Sequence, residues 1–137
     1  IAYGEGIPGR AERILNDEKL NLLRNCIIDL LTDIDSRSNN IVLNYEKRLD
    51  SFKDSKEEVL NILESLIRDI IVYKELQDEK MIMNIDKLED IDRFSSNKSY
   101  KKLSAMLEKI KEARINIRNN ANYSMVISVM LMGLSEG

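Results

Sequence analysis

The sequence predicts an all-α fold, a compact bundle of five or six helices. Three observations predict it. Apolar residues recur at the helical period of about 3.6 from residue 10 to the end. Five Gly and one Pro in 137 residues leave little material for the tight turns of an all-β chain. With 43% hydrophobic and 33% charged residues, the chain is also too apolar to stay disordered. Its length suits one domain with a sizeable core.

The elements follow in order. Ala11, Ile14 and Leu15 predict a short first helix, stopped near Asn16 and Asp17. Leu20, Leu23, Ile27, Leu30, Leu31 and Ile34 form one face of a second, closed by the polar stretch 35–40. Ile41, Val42, Tyr45, Leu49 and Phe52 continue the spacing into a third. Ser55 followed by Glu58 has the form of a capping box, in which the hydroxyl accepts from a backbone N–H and the carboxylate reaches back. It opens the strongest pattern, with Val59, Leu63, Leu66, Ile67, Ile70 and Tyr73 inward and Glu57, Asn61, Glu64, Arg68 and Lys74 mostly outward. After the connector Met81-Ile82-Met83-Asn84-Ile85, Leu88, Ile91 and Phe94 allow a short helix. Leu103, Met106, Leu107, Ile110, Ala113 and Ile117 mark a long amphipathic one. Arg114 interrupts that stripe and needs a partner or a route for its head group to water. The final helix, Tyr123 to Leu134 with Asn122 as its cap, is apolar almost all round. Such a helix is either central to its own bundle or covered by another chain.

Composition closes many chemical routes. With no His there is no Ser-His-Asp triad, no His-ligated metal and no imidazole base. One Cys excludes an internal disulfide and a four-thiolate metal site, and Cys26 itself reads as a small core residue with no His to activate it. A net charge of −3 argues against a dedicated nucleic-acid or anionic-membrane binder. The run Tyr123 to Leu134 is too short to span a bilayer, and the start lacks a basic and apolar leader, so a cytoplasmic protein is expected. The first residue is Ile and not Met, as in a segment of a longer chain.

Four stretches imitate functional motifs. Gly4-Glu5-Gly6-Ile7-Pro8-Gly9 matches G-x-G-x-x-G but lacks the strand before and the βαβ unit around it, so it reads as a loop entering a helix. Asp33-Ile34-Asp35 opens like a calcium loop, yet Arg37 stands at a ligand position and Asn44 where a bidentate Glu belongs. Asp86, Glu89, Asp90 and Asp92 could pair carboxylates for acid–base work, although an acidic run on a short helix is usually a solvated face. Lys98, Lys101, Lys102, Lys109, Lys111, Arg114 and Arg118 form a basic stripe, of which Lys98, Lys101 and Lys102 are the candidate phosphate contacts. Glu108 and Glu112 interleave with it, and Tyr100 is its one stacking aromatic.

Three parts of the chain, in order, resemble one family. The opening Ala2 to Leu15, with Gly4, Gly6, Pro8, Gly9 and Arg10, resembles the end of the lid subdomain in bacterial clamp-loader subunits. Leu66-Ile67-Arg68-Asp69-Ile70-Ile71 and the connector Met81 to Asp86 are similar to a helix and connector of the DNA polymerase III delta-prime branch of that family. So is the close, where Ile110, Ala113, Arg114, Ile117, Asn119, Asn120 and Asn122 precede an apolar helix. The resemblance implies residues 1–17 as the last helix of an ATPase-like lid and 18–137 as a helical collar domain without catalytic residues, cofactor or metal. It implies the other clamp-loader subunits as partners in a hetero-pentamer, DNA only indirectly, and neither membrane nor small-molecule substrate. Where the motor subunits carry a nucleotide-sensing Arg, this chain has Gly9 with Arg10 one step later, which fits the stator-like delta-prime better than gamma/tau. The candidate interface residues are Asn120, Asn122, Tyr123, Met125, Met130, Leu131 and Leu134. The alternatives are a gamma/tau collar, a free-standing nucleic-acid-binding module using the basic stripe, and an enzyme using the acidic run.

Overall fold

The computed structural model describes residues 9–35 and 40–136. Among them are six α-helices and no strand: α1 (Gly9–Asp33), α2 (Ile41–Asp50), α3 (Lys56–Leu76), α4 (Leu88–Asn97), α5 (Tyr100–Arg118) and α6 (Tyr123–Ser135). The all-α expectation holds. The glycine-rich opening at residues 1–8 and Arg37 of the calcium-like loop lie outside the described residues.

α1 differs from the expectation. The helix runs unbroken through Asn16 and Asp17. Asn and Asp lower helix propensity by only about half a kcal/mol each, too little to stop a long helix without Gly or Pro. Its face of Leu23, Ile27, Leu30 and Leu31 is buried, as is Cys26. α2 ends at Asp50, so Phe52 is buried from the following turn and not from the helix. The expected capping box does not form. Ser55 closes a short 3-10 turn, Lys53–Ser55, with ψ 38, whereas a capping serine is extended, and its hydroxyl makes no cap bond. Glu57 and Glu58 still place negative charge in the first turn of α3, where the helix dipole favours it.

α3 is the central element, packing on α1, α4 and α5. Val59, Leu60, Leu63, Leu66, Ile67 and Ile70 are all fully buried along it. α4 lies beside α1 in the same direction, stitched by Lys87 to Asn25, Arg93 to Thr32 and Lys98 to Asp35. α5 runs antiparallel to α3, since Arg114 near its end meets Glu57 and Asn61 near the start of α3. α6 folds back along α5 and rests on α2.

Candidate subunit interface on the last helix

A short Asn-rich turn aims α6. Asn120 takes the left-handed conformation at φ 63, its N–H donates to the Ile117 carbonyl at 3.1 Å, and Ala121 N–H donates to the Asn116 carbonyl at 3.0 Å. This is the Schellman closure of a helix, and Asn is among the few non-Gly residues that adopt it readily. Two residues later the Asn122 side chain accepts from Met125 N–H at 3.1 Å and caps α6, as expected. Asn120 and Asn122, two of the candidate interface residues, therefore act first as turn and cap.

Both ends of α6 are tied down. The Tyr123 hydroxyl donates to the Leu49 carbonyl at 2.8 Å, and Ser124 donates to Asp50 at 3.2 Å. Burial, reinforced by the Asp50 carboxylate, pushes the Tyr123 phenol well above its usual range, so it stays a donor. At the other end Lys102 donates to the carbonyls of Leu134, at 2.7 Å, and Glu136. A cation there complements the negative end of the helix. Partial burial holds the Lys102 ammonium below its ordinary pKa. Gly133 lets α5 approach closely, since a Cβ there would stand 2.7 Å from Lys109 Cδ.

The two readings of α6 divide by residue. Val126, Ile127, Met130, Leu131 and Leu134 are buried inside this chain's own bundle. Met130, Leu131 and Leu134, offered in the sequence as interface residues, thus pack in the core of this chain's own bundle. Met125, Val129 and Met132, spaced i, i+4 and i+7, face outward with 68%, 57% and 49% of their surface exposed. Of these, Val129 was not among the residues the sequence offered for an interface. An open groove of about 410 Å³ lined by Leu43, Glu46, Lys47, Asp50 and Ser124 lies where α2 meets the start of α6.

The basic stripe is largely consumed within the fold. Lys98, a candidate phosphate contact in the sequence, has a side chain only 1% exposed; it pairs with Asp35 at 2.7 Å and sits 5.3 Å from the Phe94 ring centre. Lys102 caps α6, leaving exposed Lys101 as the one candidate of the three free to meet a phosphate. Arg114 finds the partner it needs in Glu57, Asn61 and Glu64, at 3.1, 2.8 and 3.4 Å.

A family model described as "DNA polymerase III, delta subunit, C terminal" matches residues 18–136. The chain belongs to this family. The family is part of the clamp-loader complex of DNA polymerase III. No curated protein and no solved structure gives a match. No described helix of this clamp-loader domain is long and apolar enough to cross a membrane.

The acidic run does not converge in the clamp-loader domain. Asp86 accepts two bonds from Arg24, at 2.7 and 2.8 Å, and this guanidinium holds its carboxyl below the usual range. Asp90 pairs with Arg93 at 2.9 Å, while Glu89 and Asp92 face solvent. The calcium-like acids are also engaged, Asp33 by the Tyr45 hydroxyl and Asp35 by Lys98. No three acidic or thiol groups are placed to share a metal among the described residues. Burial raises the Cys26 thiol, consistent with a core side chain and not a nucleophile.

One polar site escaped the sequence reading. Asp69 on α3 is only 3% exposed and accepts from Met83 N–H at 3.0 Å, Asn84 N–H at 2.8 Å and the Asn84 amide at 2.6 Å. Arg24 on α1 donates to the Asn84 side chain at 3.2 Å, joining α1, α3 and the connector. The signal for it was an acid set between Leu66, Ile67 and Ile70 on an apolar face. A buried charge in such a position implies a set of donors.

Proposed function

We propose that this domain is the oligomerisation collar of a clamp-loader protein of the delta-prime type, holding a neighbouring subunit through the outward stripe of α6. The observation that carries it is the pairing of a helix fastened at both ends with three large apolar side chains left in water on it. Interface cores are apolar, and methionine adapts to non-identical partners. The delta-prime branch is favoured by the Asn119-Asn120-Ala121-Asn122 turn and by Gly9-Arg10 in place of a nucleotide-sensing Arg. Residues 1–17 are then the end of a lid and 18–137 the collar, acting in the cytoplasm in clamp loading. The domain contributes adhesion, not chemistry. Its contact with DNA is indirect, because the Lys98 to Arg118 stripe is spent largely on internal pairs.

Two substitutions on opposite faces of α6 test this. Val129→Asp, on the exposed face, should leave the helical spectrum and melting curve intact while removing the chain from a complex with its partner clamp-loader subunits in size-exclusion chromatography. Leu131→Asp, fully buried, should prevent folding. A Val129→Asp chain that co-elutes at wild-type stoichiometry would overturn the α6 interface.

A further inference from the structure

The connector between α3 and α4 is the second place where large apolar side chains stand in water. Met81, Met83 and Ile85 are 55%, 80% and 53% exposed, alternating with Ile82, which is buried. Met81 ends one 3-10 turn, Glu79–Met81, and Ile85 opens another, Ile85–Lys87, while Ile82 between them is extended, at φ −96 and ψ 129, and turns its side chain inward. A surface segment with three such residues would ordinarily relax to hide them. Here the backbone is held. Asp69 accepts from two successive amides, and Asn84 is gripped by Asp69, Ser65 and Arg24. A buried carboxylate is thus committed to keeping an apolar edge outward, the arrangement of a preorganised contact surface.

This edge and the α6 stripe share no supporting helix: α6 rests on α2 and α5, the connector on α3 and α1. A subunit inside a ring meets its two neighbours through two different surfaces. Resting on the collar reading above, we infer that the Met81–Ile85 edge is a second subunit interface, and that its occupant is a different clamp-loader protein presenting an apolar helix face with a basic rim. The rim follows from charge complementarity. The exposed charges leading into the edge are Glu75, Asp78 and Glu79 against Lys80. A partner with acids at that border would meet like charge.

The test uses the full chain and each of the other clamp-loader subunits, with pairwise affinities measured at low and high salt. Met83→Glu should melt as the wild type does and weaken one pairwise contact roughly 10- to 100-fold, the loss typical of a central apolar anchor. That pair should differ from the one lost in Val129→Asp. Glu75→Lys with Glu79→Lys should weaken the same pair as Met83→Glu and flatten its salt dependence. Should Met83→Glu disturb folding, Met83→Ser takes its place. Wild-type affinities for Met83→Glu, with one pair lost in Val129→Asp, would overturn the second interface and leave the α6 reading standing. If both variants weaken the same pair, the two surfaces form one contact and the inference fails. Self-association of the chain through this edge, abolished by Met83→Glu, would also overturn it, since the occupant would be a second copy.

Discussion

Replacing Asp69 by Ala removes one acceptor group from three donors at once, the amides of Met83 and Asn84 and the Asn84 side chain. A buried donor left without a partner costs about 1–3 kcal/mol. Met83 is exposed, so water can reach part of the freed backbone and the lower end of that range applies. Release of a buried charge returns some free energy as well. The sum is a loss of about 2–4 kcal/mol out of the roughly 5–15 kcal/mol that holds a domain together. For a chain of this length that lowers the melting temperature by roughly 10 °C. Asp69→Asn keeps one acceptor and should lose about half as much. Urea unfolding followed by circular dichroism gives the free energy, and hydrogen exchange at Met83 and Asn84 gives the location. A loss below about 1 kcal/mol, or unchanged protection at both amides, would refute the claim that Asp69 holds the connector.

Two further outcomes are expected. Asn120→Gly should raise stability by a few tenths of a kcal/mol, because φ 63 suits Gly, while Asn120→Val should lower it by about 1–2 kcal/mol in thermal melts; equal melting of the two would refute the left-handed closure. Asp86→Asn should cost at most about 1 kcal/mol at pH 7, since the ion pair with Arg24 is half exposed and screened by water. The folded-state pKa of Asp86 is depressed, so its contribution is complete above the unfolded value, 3.8, and disappears as pH falls through the folded one. Denaturation curves of the two proteins should therefore converge at strongly acid pH, and a gap that persists there would refute the assignment.

Periodicity along the chain carried most of the fold. The inward residues of α3 and α5 were legible because their apolar spacing has one reading. α6 was not, because a helix apolar on every face holds no information about which face meets its own bundle. Val126, Ile127, Met130, Leu131 and Leu134 were decided by the direction in which the Asn-rich turn launches the helix. The stop expected at Asn16 and the box expected at Ser55 failed for local reasons, a propensity too weak to break a helix and a serine already used in a tighter turn. Lys98 failed for a distant one. Its partner Asp35 lies 63 residues earlier, and no local pattern announces that a lysine at a helix end will be enclosed. Arg114 shows the complementary case. Its place inside an apolar stripe announced a need, though not that Glu57, Asn61 and Glu64 on the facing helix would meet it.

The α6 stripe gains its meaning from how little the helix can move. Within a few residues, Asn120 closes α5, Asn122 caps α6, and Tyr123 and Ser124 fasten its start to the end of α2. At the far end of this 13-residue helix, Lys102 reaches over from the start of α5 and holds the last carbonyls. An unfastened apolar helix would tilt or re-pack to bury Met125, Val129 and Met132 against its own bundle. Fastening forbids that escape and removes much of the ordering cost that a partner would otherwise meet on binding, about 0.5–1.5 kcal/mol for each side chain immobilised. Burying three half-exposed side chains of this size contributes roughly 1 kcal/mol apiece. That amount is too small to hold a loose helix in place and large enough to matter for a fixed one. The stripe can therefore serve as an adhesive surface only because polar groups at both ends of α6 make it rigid.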